Sequence, residues 1–404
     1  MSEQRLRLAL VGAGRRGQAH AATIAGLSDL YDLVAVCDPI EQNAERIARG
    51  VGAAVHTDVL QCFSKERLDA VAIVTPPETH HLLAKAAADR GLHMFIETPL
   101  APTRAMMDFI AEAAARASVH VEVGENYSRR PAERLTQAAL ASGSIGQLLH
   151  LSAFNAAANH DSCYHLMSLF LAYAASDVTQ IHAISHPHPL GVTRSKVAAA
   201  AALTETWADA VLTFASGVTA SLNYVTSWTF PIRSGRPRIV SAEGTEGYIV
   251  KSDASPDRLH RVENGSARDY IMQVATHTLD DREIPTRYYF DTDPSIEVSN
   301  PFADRALADV EPVGVADGLA RAAELVSLHR AVTAGLTPEY GIERARRSQE
   351  LGIAVIESAR LAQPISGKLG AETAWEREHH QMLSARWSAD PLREMDRILR
   401  DGVR

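Results

Sequence analysis

An apolar run over residues 6–11 ends directly on Gly12-Ala13-Gly14-Arg15-Arg16-Gly17, and residues 18–27 that follow have helical composition and spacing. A strand, a Gly-x-Gly-x-x-Gly turn and a helix in that order leave few folds open. Each glycine has its own physical task. Gly12 makes the tight turn, Gly14 lets the backbone approach a pyrophosphate, and Gly17 lets helix and strand pack closely. The amino end of the helix then offers free N–H groups and a partial positive charge to phosphates. Asp38 closes the second apolar run about 20 residues after Gly17, the spacing at which an acid binds the adenosine ribose. A carboxylate there accepts from both ribose hydroxyls and repels a 2′-phosphate, so NAD is the expected cofactor and NADP the less favoured one. The neighbouring Pro39, Ile40 and Glu41 offer no cation for that phosphate, whereas Arg15 and Arg16 are within reach of it.

The same alternation continues through residue 125. Short apolar runs at 6–11, 33–37, 70–75, 93–97 and 120–123 are separated by helical stretches at 18–27, 40–49, 80–90 and 103–116, the pattern of a parallel sheet with crossover helices. Several of these runs are apolar on both faces, as strands covered by helices on each side must be. Beyond residue 126 the texture changes to long strand-like runs at 205–214, 218–227 and 238–241, broken by Ser216-Gly217 and Gly244-Thr245-Glu246-Gly247, and helical spacing returns at 318–334 and 342–361. The expected fold is α/β: an N-terminal Rossmann dinucleotide-binding domain over 1–125, a C-terminal α/β domain over 126–365 with a large, mostly antiparallel open sheet, and a charged helical tail over 366–404. With 404 residues, 46% hydrophobic composition and a net charge of -9, the chain has enough material for two cores and no clustered basic run for nucleic acid or an anionic membrane surface. Cys37, Cys62 and Cys163 form no CxxC pair, which argues against a disulfide framework and a zinc site and fits a cytoplasmic protein. The run at 6–11 is too short for a signal-peptide core, and nothing approaches the roughly 20 apolar residues of a spanning helix.

Two further stretches carry a family resemblance. Thr75-Pro76-Pro77-Glu78-Thr79-His80, then Gly91-Leu92-His93 and Glu97-Thr98-Pro99-Leu100-Ala101, resemble the Gfo/Idh/MocA oxidoreductases, and the likeness extends over roughly residues 5–365 through Gly244-Thr245-Glu246-Gly247 and the closing helices. The resemblance implies a Rossmann domain followed by an α/β domain whose open sheet builds homodimers or homotetramers. It places Thr75, Pro76 and His80 along the cofactor and Glu97 at the nicotinamide ribose. The family's catalytic lysine falls at Thr98, a short hydroxyl without charge that orients a substrate but does not stabilise an alkoxide. For Pro99 a trans peptide is the default expectation.

Asn159-His160-Asp161-Ser162-Cys163-Tyr164-His165 leads into an apolar helix. Asp161 and His165 are four residues apart, so on a helix they share a face and a hydrogen bond that fixes the imidazole as a base. The resemblance implies the same pair at the active site and brings in Tyr164 as a proton relay. Against this stands the plain reading, in which Asp161 caps the helix and His165 is a core histidine. Tyr127 and Arg130 are candidate substrate contacts or residues of a solvated turn. Arg233, Arg236 and Arg238 suit either an acidic substrate or exposed positions. His182, His186 and His188, interleaved with Pro187 and Pro189, read as a strand-to-loop surface and not as a metal site. Trp375, Trp387, His379 and His380 read as an amphipathic helix packed on this or a neighbouring subunit. Together these point to an NAD-dependent oxidoreductase acting on a sugar, cyclitol or related polyol. A redox-neutral enzyme that oxidises and eliminates with bound NAD and a non-catalytic dinucleotide sensor are the alternatives.

Overall fold

A computed structural model describes residues 4–157, 163–189, 204–225, 238–305, 307 and 314–402. Strands β1 (Leu6–Val11), β2 (Tyr31–Cys37), β3 (Ala54–His56), β4 (Ala70–Ile73), β5 (His93–Glu97) and β6 (Val121–Gly124) form a six-stranded sheet in the order β3-β2-β1-β4-β5-β6. Every pairing in it is parallel. Strand order reverses between β1 and β4, and the carboxyl ends of the strands beside that switch point open the crevice in which such sheets bind ligands. The connecting helices are α1 (Arg15–Gly26), α2 (Glu41–Val51), α3 (Val59–Lys65), α4 (His80–Ala88) and α5 (Arg104–Ala117). Leu8, Leu10, Val36, Ala70 and Ala72 are fully buried toward one helical layer, and Ala9, Ala35, Val71 and Ile73 toward the other. Both faces of these strands are therefore apolar, which is why the sequence shows continuous runs and not alternation.

After α6 (Pro131–Ala141) come β7 (Leu148–Ala157), α7 (Tyr164–Ala174), β8 (Val178–Pro189), β9 (Thr204–Phe214) and β10 (Thr219–Val225). Then follow β11 (Ile239–Gly244), β12 (Gly247–Ser252), β13 (Ser255–Glu263), β14 (Ser266–Ile271), β15 (Gln273–Leu279), β16 (Arg282–Phe290) and β17 (Ile296–Ser299). A nine-stranded sheet runs β14-β13-β12-β11-β7-β10-β9-β8-β18, with β18 at Ile365–Ser366, and a separate small sheet contains β15-β16-β17. All neighbours in the large sheet are antiparallel except β7 and β10. Alternate residues divide its two faces. Leu151, Ala153, Ala183, Ala210 and Leu222 are buried beneath the helices, whereas Phe154, Ile184 and Val211 stay 46, 49 and 51% exposed on the other side. His182 and His186 project from that exposed face of β8, as the sequence reading of a surface places them. Arg233 and Arg236 lie outside the described residues.

Helices α8 (Gly314–Ala334) and α9 (Ile342–Leu361) return to the Rossmann domain and to the large sheet, respectively. The charged tail forms α10 (Ala374–Trp387) and α11 (Met395–Asp401), and it packs on its own Rossmann domain. Leu383, Ala389, Met395, Ile398 and Leu399 join the apolar cluster of α4 and α5. Glu376 closes a capping box with Thr373 and pairs with the buried Arg104 at 2.7 Å, and Arg104 also donates to the carbonyls of Leu369 and Ala371. His81, fully buried on α4, donates from Nε2 to the Pro391 carbonyl at 2.9 Å.

Burial pushes the His81 imidazole down to about 4, against the help of that carbonyl. The unfolded chain, with a histidine near ~6.5, takes up the proton first. Stability contributed by neutral His81 is thus complete above pH ~6.5 and is lost as pH falls toward 4, an effect on the order of 3 kcal/mol. Urea unfolding followed from pH 7 down to 4 is expected to show this loss, with a shallower decline in His81→Gln; identical pH slopes in the two proteins would contradict it.

Candidate dinucleotide and proton-transfer site

The loop after β1 is shaped by its glycines in three different ways. Gly12 has φ +97°, and a Cβ there lies 2.2 Å from the Val74 carbonyl oxygen. A Cβ on Gly17 lies 2.0 Å from the Gly12 carbonyl oxygen, so α1 packs against its own turn only with glycine there. Gly14 is exposed, and a Cβ on it meets nothing within 4 Å. The space above Gly14 is open, and α1 begins there with no side-chain cap and no acid in its first turn. Such an end holds unpaired N–H donors for an anion. Asp38 accepts from Ala13 N–H at 2.7 Å and from Ile40 N–H at 2.9 Å, so it stitches the glycine loop to the end of β2. Its Oδ1 also accepts from Asn43 Nδ2 at 3.4 Å, and its Oδ2 keeps a further lone pair for a ribose hydroxyl. The loop, the uncapped helix and this acid fit a dinucleotide. Arg15 is exposed beside them.

Thr75 and Pro76 follow β4 and border the same crevice, since a Cβ on Gly12 would fall 3.1 Å from the Thr75 Cγ2 methyl. His80, which the resemblance places along the cofactor, is instead completely buried. Its Nε2 faces the Thr75 carbonyl at 2.8 Å, and its Nδ1 faces the Pro99 and Leu100 carbonyls at 3.2 Å. It ties the loop after β4 to the loop after β5 and positions them without facing the crevice. The Thr98-Pro99 peptide is cis, a correction to the trans default.

Glu97 ends β5 and is 6% exposed. Its Oε1 accepts from Arg16 Nε and from His20 Nε2, the latter at 2.6 Å, and its Oε2 accepts from Thr98 N–H at 2.9 Å. Burial opposes ionisation of Glu97, but the Arg16 guanidinium and the His20 hydrogen bond win and hold the carboxyl well below the usual range. Burial lowers His20 to about 4 despite Glu97. His20 is therefore neutral at pH 7, with Nε2 as the donor and Nδ1 without a partner.

A second carboxylate of this kind follows β6. Glu125, fully buried, accepts from His165 Nδ1 at 2.8 Å through Oε2 and from Tyr127 N–H at 2.9 Å through Oε1. Among the described residues the carboxylate that holds His165 is Glu125; Asp161, expected from the four-residue spacing, lies outside them. The Tyr127 ring stacks on His165 at 4.3 Å with 14° between planes, and Arg130 sits 3.9 Å from the centre of the Tyr127 ring. Arg130 is tied down in turn by Asp317 at 2.6 Å. Arg238 pairs with Asp253 at 2.6 Å and lies beside Tyr127. Tyr164 meets His165 edge-on, but it is 2% exposed, with a hydroxyl that faces the Tyr340 hydroxyl and that burial keeps protonated far above neutral pH. It packs in the core beside Tyr340, so the structure does not turn the Tyr164 hydroxyl toward the crevice.

The two groups meet at Asp317 on α8, 3% exposed, which lies 3.9 Å from Arg16 and 2.6 Å from Arg130. His20, Glu125 and Asp317 are absent from the sequence reading. The available signal for Glu125 was its place just past a parallel strand, where such sheets bind ligands. His20 and Asp317 are single polar residues on helices and carry no local signal.

Residues 6–125 match the family described as "Oxidoreductase family, NAD-binding Rossmann fold", GFO_IDH_MocA. The Rossmann domain of this chain belongs to the Gfo/Idh/MocA family. Inositol 2-dehydrogenase 4 of Saccharopolyspora erythraea is 34% identical over 199 residues, 47% of this chain and 59% of that protein. The scyllo-inositol 2-dehydrogenase (NAD(+)) of Bacillus subtilis is 30% identical over 153 residues, 38% of this chain and 45% of that protein. The chain spans about half the length of the curated relatives it matches. Among solved structures, levoglucosan dehydrogenase in complex with NADH and levoglucosan superposes with a TM-score of 0.68 at 18% identity, covering 91% of this chain and all of that one. An oxidoreductase domain protein from Kribbella flavida superposes with the same TM-score at 20% identity over the same shares. At these identities the solved structures show a shared fold across both domains. Among the described residues, no helix is long and apolar enough to cross a membrane.

The different settings of the glycines separate binding from folding. Gly14→Ala is expected to keep its melting temperature and lose NADH affinity, read by quenching of protein fluorescence, while Gly17→Ala loses stability as well. Unchanged NADH affinity in Gly14→Ala would contradict the placement of the phosphates.

Proposed function

We propose that this protein is an NAD-dependent oxidoreductase acting on a ring CH–OH group of a sugar, cyclitol or related polyol. The observation that carries the reading is the His165–Glu125 hydrogen bond at 2.8 Å. With Glu125 accepting at Nδ1, that nitrogen carries the proton and the lone pair is left on Nε2, the arrangement of a general base for a substrate hydroxyl. The bound dinucleotide supplies the acceptor for the hydride. Tyr127 and Arg130 hold the imidazole in place by stacking and bound the substrate side of the site. Thr98, whose Oγ1 is 3.4 Å from Glu97, orients the substrate hydroxyl without adding charge. Glu97, Arg16, Thr75 and Pro76 line the dinucleotide, with Asp38 on the adenosine ribose favouring NAD over NADP. The names of the inositol dehydrogenases support a cyclitol or sugar as substrate. The exposed Phe154, Ile184 and Val211 on the large sheet support a homodimer or homotetramer assembled through that face. Three free, buried cysteines support a cytoplasmic location.

The test is reduction of NAD at 340 nm with a panel of cyclitols, sugars and glycosides. Growth of the signal with one substrate class is the expected result, and His165→Ala is expected to lower kcat by about 10²–10⁴ with NADH affinity retained. Tight dinucleotide binding with no net reduction across the panel would favour the redox-neutral or sensor reading, and full turnover in His165→Ala would remove the assigned base.

A further inference from the structure

Behind Glu97, where α8 crosses α1, β5 and β6, several buried polar atoms make no hydrogen bond among the described residues. They are both carboxylate oxygens of Glu324, both terminal nitrogens of Arg321, Nδ1 of His20 and Nη1 of Arg129. Glu324, Arg321 and His20 are completely buried. Buried polar groups are almost always paired, because an unpaired one costs about 1–3 kcal/mol, so a concentration of them marks a place held for a change of state. The charged groups acting on Glu324 are Arg16 on α1, Glu97 on β5, Glu122 on β6, Arg129 in the turn after β6, and Arg321 on its own helix, with His20 and Asp317 beside Arg321. From α6, Arg134 is taken up by Glu339 and Glu133 by Lys251. Most of the neighbouring cations are already committed, Arg16 to Glu97, Arg129 to Glu122 at 2.5 Å and Arg130 to Asp317. Among these described cations Arg321 alone is left, held only by Thr23 at 3.1 Å through Nε.

Glu324 therefore lies near the Glu97 and Glu122 carboxyls with no hydrogen-bond partner among the described residues, and burial raises its carboxyl well above the usual range. Arg321, one turn earlier on the same helix and without a carboxylate partner among the described residues, interacts electrostatically with Glu324 and favours its ionised form. The balance between these two states depends on the net charge at the Glu97 end. Oxidised NAD differs from the reduced form by one positive charge on the nicotinamide ring, with the same diphosphate in both.

We propose that Glu324 is a buried proton store that empties when oxidised NAD binds and refills when the dinucleotide is reduced. The inference rests on the NAD-dependent reading above. In the oxidation, the substrate carbon loses a hydrogen with its electron pair to the dinucleotide, and the hydroxyl proton leaves to His165. His165 passes that proton to solvent, and Glu324, ionised while the ring is positive, takes up one proton from solvent once that charge is gone. One alcohol, one oxidised dinucleotide and one Glu324 carboxylate become one carbonyl, one reduced dinucleotide and one Glu324 carboxylic acid. Glu324 touches neither substrate nor cofactor and acts as a positioning residue for charge.

Isothermal titration of the whole protein with NAD and with NADH, each in two buffers of different ionisation heat, counts the protons directly and needs no substrate. NAD is expected to release more protons than NADH, and its affinity to rise with pH by up to about tenfold per pH unit where a full proton is released. In Glu324→Gln, whose amide copies the neutral carboxyl, the difference between the two dinucleotides is expected to vanish while NADH affinity holds. Equal proton release for NAD and NADH in the unaltered protein would overturn the proposal and leave the oxidoreductase reading standing, as would a difference that persists in Glu324→Gln. Failure of either dinucleotide to bind would overturn both.

Discussion

Carboxylates at the carboxyl ends of β5 and β6 organise the site, and the surrounding elements deliver their hydrogen-bond partners. Glu97 is buried, yet it stays charged because α1 delivers Arg16 and His20 to the same oxygen and the backbone of Thr98 reaches the other. Glu125 receives His165 from α7 and the backbone of Tyr127. Each acid fixes the tautomer of one imidazole, and the two imidazoles belong to different domains. Breaking either contact strands a buried carboxylate, which typically costs several kcal/mol, so the approach of the two domains is tied to the geometry of the site.

Asp317 extends this arrangement. It reaches Arg16 on the dinucleotide side and Arg130 behind the Tyr127–His165 stack, and it comes from α8, a helix about 190 residues along the chain from the last Rossmann strand. The folding of the C-terminal domain is thus required to complete the electrostatics of the N-terminal one. The tail adds a second tie, as Arg104 on α5 is satisfied wholly by Glu376 and by carbonyls of the segment leading into α10.

How much of this was legible in the sequence follows from the range of the forces involved. The runs at 6–11 and 93–97 and the helix at 342–361 have the bounds expected of them, because continuous apolar runs and helical spacing report local burial. The short β3 and α3 were missed, since Ala54–His56 is too brief and too polar to show a period. Strands β14 and β15 were missed because they are largely exposed, with polar residues on both faces. In the site, the glycines were readable because each answers a local steric demand. The partner of His165 was not, because Asp161 is near in sequence whereas Glu125 is near only after β6 and α7 have packed. Arg321 and Glu324 carry no local signal of burial, because the elements that cover them are distant in sequence.

The central claim is that Glu125 holds His165 with the proton on Nδ1 and the lone pair on Nε2. Nitrogen-15 NMR of histidine-labelled protein at neutral pH, with the His165 signals identified by their absence in His165→Gln, reads that tautomer directly. A protonated Nδ1 and an unprotonated Nε2 are expected, with the preference weakened in Glu125→Gln. A proton on Nε2 in the unaltered protein, or a tautomer indifferent to Glu125, would contradict it.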